Sequence, residues 1–312
     1  MSDNRMKIVI IGTINKDLIL PFGGSSIQSF GGIFYSLSAL THFVDDHVTI
    51  FPISFIGSDV YSNLLMLFKN FKNVDPGGLI RLEQKNHEVI LEYLAPEERT
   101  EKALFNFPSI SWENIRKFSQ ADFFIINMIT GWDLSLDAYQ KLSRKNYSKM
   151  YLDVHFLVMG TDQYGKRFPQ RPENILEWLR GARFIQMNQR EFGIINTEKL
   201  TEGAFFETYL QPDQYLIITL AGEGADVIFR KNNMTRIKHF PAILVDKIED
   251  VTGCGDVFGV SFVWNYLQSQ DVYKSIEFAN LAAGAKCFLR GTNEMDKLLP
   301  KMKDVKDLII KS

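Results

Sequence analysis

The stretch from Asp250 to Asp256, DVTGCGD, places two glycines and a carboxylate directly before an apolar run from Val257 to Leu267. Glycine lets the backbone turn tightly and approach a ligand closely. The apolar run predicts a buried helix. The first N–H groups of a helix attract anions, and here they belong to Gly253, Cys254 and Gly255. The stretch therefore predicts an anion site at a helix N-terminus.

Asp256 would stand in the first turn of that helix. A carboxylate there stays ionised beside the positive end of the helix dipole. It can accept the proton of a hydroxyl while the N–H groups stabilise charge on a transferring phosphoryl group. The alternative is a glycine turn capped by an aspartate before a core helix, which an isolated Gly-x-Gly-Asp more often is.

Two stretches near the start of the chain could lie at a ligand-binding site. The run Ile8–Ile11, followed by Gly12, is typical of a strand buried in a parallel sheet. Asn15 and Asp17 would lie just beyond its carboxyl end, where open α/β sheets bind ligands. Gly31–Gly32 then opens a run with helical spacing. The alternatives are ordinary turn formers and a plain loop-to-helix junction. No G-x-G-x-x-G follows Gly12, which argues against a dinucleotide fold.

Two later stretches could serve a phosphate donor. A predicted strand from Arg183 to Met187 leads to Asn188 and, three residues on, to Glu191. This spacing resembles a capping box, in which the two residues bond reciprocally to a helix start. The functional alternative places Glu191 near a hydrated Mg²⁺, which keeps several waters and uses few carboxylates. The turn from Ala221 to Gly224 either joins a β-hairpin or lies against a nucleotide.

The remaining periodicity predicts alternating strands and helices, as in an α/β fold with a parallel sheet. The part from Pro76 to Pro108 does not continue this alternation, and its short predicted strands form either a β flap or a surface meander. Ser58 or Asp59 is predicted to cap a helix from Val60 to Phe71. Further predicted elements are the strands Val48–Ile56, Leu79–Leu82, Val89–Leu94, Asp122–Met128, Met150–Val154, Tyr215–Leu220 and Ala225–Phe229 and the helices Ser135–Arg144 and Ile276–Phe288.

Composition excludes several classes of protein. The 312 residues, 46% of them apolar, suffice for one large α/β domain or two smaller ones. A formal net charge of −2 gives no electrostatic basis for binding nucleic acid or an anionic membrane. Cys254 and Cys287 lie far apart without metal-ligand spacing, which indicates a reducing compartment rather than a disulfide framework. No run has the length of a membrane span, and Met1–Lys7 lacks the apolar segment of a signal peptide, so we expect a cytoplasmic protein.

Taken in order, these stretches resemble the ribokinase-like (PfkB-type) carbohydrate kinase family over nearly the whole chain. Asp250–Asp256 is similar to the family's D-T-T-G-A-G-D signature, Asn188–Glu191 to its N-x-x-E and Thr219–Gly224 to its T-L-G-x-x-G. The resemblance implies a three-layer α/β/α sandwich with a mostly parallel central sheet and a small β flap that serves as a lid. It also implies a single domain over residues 1–312, with lid elements within residues 18–30 and 76–108.

The resemblance assigns a role to each matching residue. Asp256 would be the catalytic base, and the amides of Gly253, Cys254 and Gly255 would form the anion hole. ATP and Mg²⁺ would be the cofactors. Mg²⁺ would lie near Glu191 and contact it through water. The residues implied along the donor are Asn188, Glu191, Thr219, Gly222, Gly224 and, near the adenine, Asn280. The residues implied around the acceptor are Asn15, Asp17, Gly31, Gly32 and Ser36.

The chain departs from ribokinase itself at several of these positions. Ile33 and Ser36 stand where ribokinase has a Lys and an Asn, and Ile129 replaces an acidic sugar ligand. Ribose is therefore not the expected substrate. The loop at Asp250 matches the place where some family members bind a monovalent cation such as K⁺. The segment from Asp17 to Gly31 is short for the flap that pairs lids in ribokinase dimers, although a homodimer stays compatible with the family.

The sequence thus predicts an ATP-dependent kinase that transfers the γ-phosphoryl group to a hydroxyl of a small sugar-like acceptor. A sugar, a polyol such as inositol, and a nucleoside compete as that acceptor. The alternative from another class is a non-catalytic ligand-binding protein on the same fold. A dehydrogenase is a more distant alternative.

Overall fold

The computed structural model describes residues 5–20, 22, 25–95, 98–104, 107–243 and 248–311. Among these residues, no helix combines the length and the apolar character that crossing a membrane requires. The strands are β1 (Met6–Ile11), β2 (Lys16–Leu20), β3 (Ile27–Phe30), β4 (Val48–Gly57), β5 (Leu79–Leu82), β6 (Glu88–Ala95), β7 (Glu98–Leu104), β8 (Phe123–Asn127), β9 (Met150–Asp153), β10 (Met159–Thr161), β11 (Arg167–Pro169), β12 (Phe184–Asn188), β13 (Tyr215–Thr219), β14 (Gly224–Lys231) and β15 (Met234–Pro241).

Most of the helices connect or cover the strands of the larger sheet. They are α1 (Ile33–Phe43), α2 (Tyr61–Phe68), α3 (Trp112–Ile115), α4 (Leu136–Asn146), α5 (Ile175–Arg180), α6 (Gln189–Ile195), α7 (Glu202–Tyr209), α8 (Cys254–Ser269), α9 (Val272–Lys286) and α10 (Leu298–Lys311). Helix α8 is the one that the apolar run after Asp256 predicts. It begins at Cys254, so the predicted anion-binding residues lie in its first turn.

The central sheet has the strand order β15-β14-β13-β12-β9-β8-β1-β4-β5. Strands β5 to β13 in that order are parallel, while β14 and β15 extend the sheet antiparallel. Ile8 and Ile10 of β1 pack into one apolar core, and Val9 and Ile11 pack into the other. Since alternate residues of a strand point to opposite faces, a strand buried on both sides reads as an unbroken apolar run. The predicted three-layer α/β/α fold is confirmed.

A second, four-stranded sheet has the order β3-β2-β6-β7. Its small apolar core consists of Ile19, Ile27, Val89, Leu91 and Ala103. This sheet is the small β flap of the predicted fold. Within the predicted lid segments, residues 21, 23, 24, 96, 97, 105 and 106 lie outside the described residues.

Two predicted details differ from the structure. Leu79–Leu82 pairs in parallel with β4 and so belongs to the edge of the central sheet rather than to the flap. Neither Ser58 nor Asp59 caps α2, which begins after Val60. The Asp59 carboxylate instead accepts a hydrogen bond from the Asn86 N–H at 2.8 Å, and the Ser58 hydroxyl donates to the Glu83 carbonyl at 2.8 Å. Both side chains are used in tertiary contacts that the local sequence does not reveal.

Candidate active site

A cavity of about 500 Å³ opens at the carboxyl edge of the central sheet, beneath the flap residues Val89 and Leu91. It collects the polar residues that follow the parallel strands, as expected for an open α/β sheet. The residues predicted from the sequence that line it are Asn15, Asp17, Gly32, Asn188, Glu191, Thr219, Gly222, Gly224, Gly253, Cys254, Gly255, Asp256 and Asn280. The structure therefore brings most of the predicted site to one place.

Three other predicted site residues lie behind the residues that line the cavity. Ser36 is fully buried in α1, and its hydroxyl makes no hydrogen bond with a described residue. Gly31 packs against Asp17, since a Cβ added to it would come within 2.0 Å of the Asp17 carboxylate. Asp250 lies beneath the turn that leads into α8. Among the described residues, the lining of the cavity includes none of these three.

The turn at Gly253 can be built only with glycine. Gly253 is the N-cap of α8 with φ of 80°, a left-handed conformation that side chains rarely adopt. An added Cβ would also meet the ring of Tyr35 at 2.2 Å. Tyr35 belongs to α1, so the glycine allows the starts of α1 and α8 to pack against each other. Among the described residues no side chain caps α8. The Cys254 N–H donates to the Val251 carbonyl at 3.2 Å, which leaves the N–H groups of Gly253 and Gly255 as the candidates for binding an anion.

Asp256 stands three residues into this turn and is held by a residue from a distant strand. Asn127, the last residue of β8, donates from Nδ2 to Asp256 Oδ1 at 2.5 Å. Burial raises the pKa of Asp256 to about 7, although the Asn127 hydrogen bond and the charge of Lys286 oppose that shift. A carboxylate with a pKa near neutrality is well matched to take a proton from a hydroxyl.

Two further carboxylates share the cavity with Asp256. Glu191 and Asn188 form the predicted capping box, in which the Glu191 N–H donates to Asn188 Oδ1 and the Asn188 N–H donates to Glu191 Oε2, both at 2.9 Å. Burial raises the pKa of Glu191 to about 8. Burial, followed by the charges of Glu191 and Asp256, raises the pKa of Asp153 well above its usual range. Burial and the proximity of other carboxylates therefore both oppose the ionisation of Asp153 and Glu191.

The end of the cavity that is predicted to hold the acceptor is built around the start of α1. Asn15 and Asp17 are buried and hydrogen-bonded to each other through Asn15 Nδ2 and Asp17 Oδ1. Asn15 Oδ1 and the Tyr35 hydroxyl are buried and have no hydrogen-bond partner among the described residues. Buried polar atoms are normally paired, so two unpaired ones on the wall of a cavity are suited to a ligand hydroxyl.

The end of the cavity that is predicted to hold the phosphate donor is lined mainly by small residues. Thr219 ends β13, and the turn after it, Ala221–Glu223, is a single 3₁₀ turn that leads into the antiparallel strand β14. The hairpin and the ligand-facing interpretations of this turn are therefore compatible. The side chain of Asn280 donates to the carbonyls of Phe240 and Pro241 at 3.2 and 3.1 Å. It joins α9 to the end of β15 and lines the cavity at the same time.

Several residues of the site were not predicted from the sequence. They are Tyr35, Asn127, Asp153, His155, Gln186 and Lys286. Asn127 and Asp153 did carry a signal, because each is a polar residue that ends an unbroken apolar strand. Gln186 lies inside a buried strand and donates to the Gly255 carbonyl at 3.2 Å, for which the sequence gives no local sign.

Comparison with known proteins agrees with this geometry. The model of the pfkB family of carbohydrate kinases matches residues 47–298. A nucleoside kinase from Methanocaldococcus jannaschii is 30% identical over 115 residues, which are 35% of this chain and 34% of that protein. The chain therefore spans only about a third of the length of this curated relative.

Solved structures share the fold at low sequence identity. A ribokinase from Thermotoga maritima superposes with a TM-score of 0.72 and 16% identity, covering 96% of this chain and 99% of its own. A pyrophosphate-dependent kinase of the ribokinase family, complexed with a pyrophosphate analogue and myo-inositol, gives a TM-score of 0.73 and 16% identity, covering 94% and 99%. Since the family model matches well over half of the sequence, the chain belongs to the pfkB family of carbohydrate kinases.

Proposed function

We propose that this chain transfers the γ-phosphoryl group of ATP to a hydroxyl of a small sugar, polyol or nucleoside, with Asp256 as the general base. One observation carries the proposal. Asp256 lies beside the uncapped N–H groups of α8, between a polar acceptor end at Asn15 and a small-residue donor end at Gly222 and Gly224. A base, an anion-binding turn and two flanking binding regions are what phosphoryl transfer to a hydroxyl requires.

In this mechanism the carboxylate of Asp256 accepts the hydroxyl proton while the oxygen attacks the terminal phosphorus, and the bond from that phosphorus to the β,γ-bridging oxygen breaks to release ADP. The N–H groups at Gly253 and Gly255 are oriented by the turn and would stabilise the charge on the transferring group, whereas that of Cys254 would first have to leave the Val251 carbonyl. The flap residues Val89 and Leu91 cover the cavity and reduce the access of water, which would compete as an acceptor.

The carboxylates of Asp153 and Glu191 fit a hydrated Mg²⁺. Burial raises the pKa of both, so both would gain from a nearby cation. The described residues contain no cluster of three or more His, Cys, Asp or Glu side chains arranged to ligate a metal. This suits an ion held mainly by waters and phosphates. When bound, Mg²⁺ would neutralise charge on the donor phosphates.

The direct test is turnover with a panel of sugars, polyols and nucleosides, each with ATP and with pyrophosphate as donor. We expect ATP-dependent transfer to one class of acceptor. Asp256→Asn should lower kcat by about 10²- to 10⁴-fold while nucleotide still raises the melting temperature. Near-normal turnover of that variant would overturn the assigned mechanism.

Asp137→Asn is a matched control for the loss of a carboxylate. Asp137 also lies in the first turn of a helix, α4, but its side chain is 67% exposed and pairs with Lys141. This variant should keep the activity of the unmodified chain. A protein that shows ligand-induced thermal shifts but no turnover with any acceptor would instead support the non-catalytic binding alternative.

A further inference from the structure

The last residue of α9, Lys286, is a fully buried lysine that reaches the segment before the anion-binding turn. Its Nζ donates to the carbonyls of Leu289 at 2.8 Å and Asp250 at 3.3 Å, and lies 3.6 Å from Asp250 Oδ2. It also lies 5.6 Å from the centre of the Tyr35 ring. Two of the three N–H donors of the ammonium therefore bind carbonyls, and the Asp250 carboxylate is close enough to form an ion pair with it.

Asp250 is the centre of the same network. Its Oδ1 accepts from the Thr252 N–H at 2.8 Å, and its Oδ2 accepts from the Gly291 N–H at 2.9 Å. Its own N–H donates to the Cys287 carbonyl at 3.2 Å. Burial alone would raise the pKa of Asp250, but the charge of Lys286 and these N–H groups lower it. The carboxylate is therefore ionised and joins three separate parts of the backbone.

The network determines where the anion-binding turn lies. The residues between Asp250 and Gly253 form one tight turn, in which the Cys254 N–H donates to the Val251 carbonyl at 3.2 Å. Displacement of Asp250 would therefore shift the first N–H groups of α8. The carbonyls at the C-terminal end of α9 favour a cation, so an ammonium is well placed there.

These contacts do not fit the monovalent cation that the family resemblance predicts at Asp250. A cation near Asp250 needs oxygen ligands, and the carboxylate and two carbonyls already bind the ammonium of Lys286. A second positive charge beside this buried ammonium would be repelled, and burial weakens the screening of that repulsion by water.

We propose that Lys286 serves as a built-in cation, a positioning residue whose ammonium fixes the anion-binding turn, so that phosphoryl transfer needs no added K⁺. The proposal rests on the kinase function proposed above. It makes Lys286 neither a ligand of substrate nor a proton carrier. Its effect is on the geometry of the first turn of α8, and therefore on kcat and on the affinity for the donor.

The first experiment compares initial rates of the unmodified chain in about 0.1 M K⁺, Na⁺ or tetramethylammonium chloride, at one ionic strength. We expect rates within about twofold of each other, which is about 0.4 kcal/mol in activation free energy. A rate at least about tenfold higher in K⁺ than in tetramethylammonium would overturn the proposal.

The second experiment removes the charge. Lys286→Met keeps an unbranched chain of similar length, and we expect it to lower kcat by about tenfold or more. Lys286→Ala also leaves space, so ethylammonium or K⁺ should restore part of its activity. The exposed residue Lys274 on the same helix provides the control, and Lys274→Ala should show neither the loss nor the rescue. Full kcat of a folded Lys286→Met in tetramethylammonium would contradict the proposal.

Loss of one partner of a buried ion pair destabilises a protein, and Lys286→Met could fail to fold. The double variant Lys286→Met/Asp250→Asn removes both charges and should fold, but it should stay slow. Should no acceptor be phosphorylated at all, the proposed function fails, yet the cation proposal is still tested by melting temperature. If K⁺ binds the folded chain, the melting temperature in K⁺ would be higher than in tetramethylammonium chloride. We expect no such difference.

Discussion

The starts of α1 and α8 have similar backbone geometry but differ in the charged side chains around them. Each helix begins after a glycine with positive φ, 61° at Gly32 and 80° at Gly253, and neither has a side-chain cap. The first turn of α1 contains no acidic residue, whereas that of α8 contains Asp256 and lies above the Lys286–Asp250 pair. The N–H groups of Ile33, Phe34 and Tyr35 at the start of α1 already donate to the carbonyls of Thr13, Gly31 and Gly32. The start of α8 differs because it combines its N–H groups with a carboxylate. The proposed function assigns the acceptor to the start of α1 and the transfer to the start of α8.

Gly253→Ala should have the largest effect on this arrangement. The left-handed backbone costs about 1 kcal/mol or more with a side chain, and the overlap with Tyr35 adds about 1–3 kcal/mol. We expect a clear loss in the free energy of unfolding and almost no kcat. Denaturant titration and initial rates measure both. Gly193→Ala, at a helical glycine with open space around it, should leave both nearly unchanged.

Gly32→Ala should distinguish the role of the start of α1 from that of the start of α8. Its Cβ would lie 2.2 Å from the Thr13 carbonyl and 2.5 Å from Asn15 Oδ1. We expect the KM for the acceptor to rise by about tenfold or more, with a smaller change in the KM for ATP. An equal change in both values would show that α1 does not serve the acceptor specifically.

Asn127→Leu should have a smaller effect, because it removes one hydrogen bond from Asp256, the proposed general base in α8. Asp256 must be ionised to accept a proton, so activity should fall as the pH drops below about 7, the value to which burial raises its pKa. Without the Asn127 hydrogen bond the ionised form of Asp256 is less stable, so its pKa rises. The acidic limb of the plot of kcat/KM against pH should therefore move to higher pH by about one pH unit. Asn146→Leu removes another buried amide, which bonds to the Ser119 and Leu142 carbonyls, and should not move the limb.

Cys287→Ser should have the smallest effect. The sulfurs of Cys254 and Cys287 are 3.6 Å apart, and the hydrogen bond from Cys254 lowers the pKa of Cys287 to about 7. A serine hydroxyl can still bond to Cys254, so we expect a change of about twofold or less in rate under reducing conditions. A tenfold loss would show that the thiol contributes directly to the transfer.

Much of the candidate site follows from local sequence. The glycines and apolar run predict the start of α8, and the Asn188–Glu191 spacing predicts the capping box that the structure shows. Asn15 and Asp17 follow a buried strand, which predicts that they lie at the ligand-binding edge of the sheet, while their role beside the acceptor is implied by the family resemblance. Each of these inferences depends on residues a few positions apart, where backbone geometry and periodicity dictate the outcome.

The remaining features depend on packing between distant parts of the chain. The Asn127–Asp256 hydrogen bond, the Lys286–Asp250 network and the Cys254–Cys287 contact each join elements that no local pattern relates. Sequence alone determined that this protein has an α/β fold with a glycine-bounded carboxylate at a helix start. Only the tertiary structure decided which amide orients that carboxylate and which buried charge supports its turn, because the packing of α1, α8 and α9 against the sheet brings those side chains together.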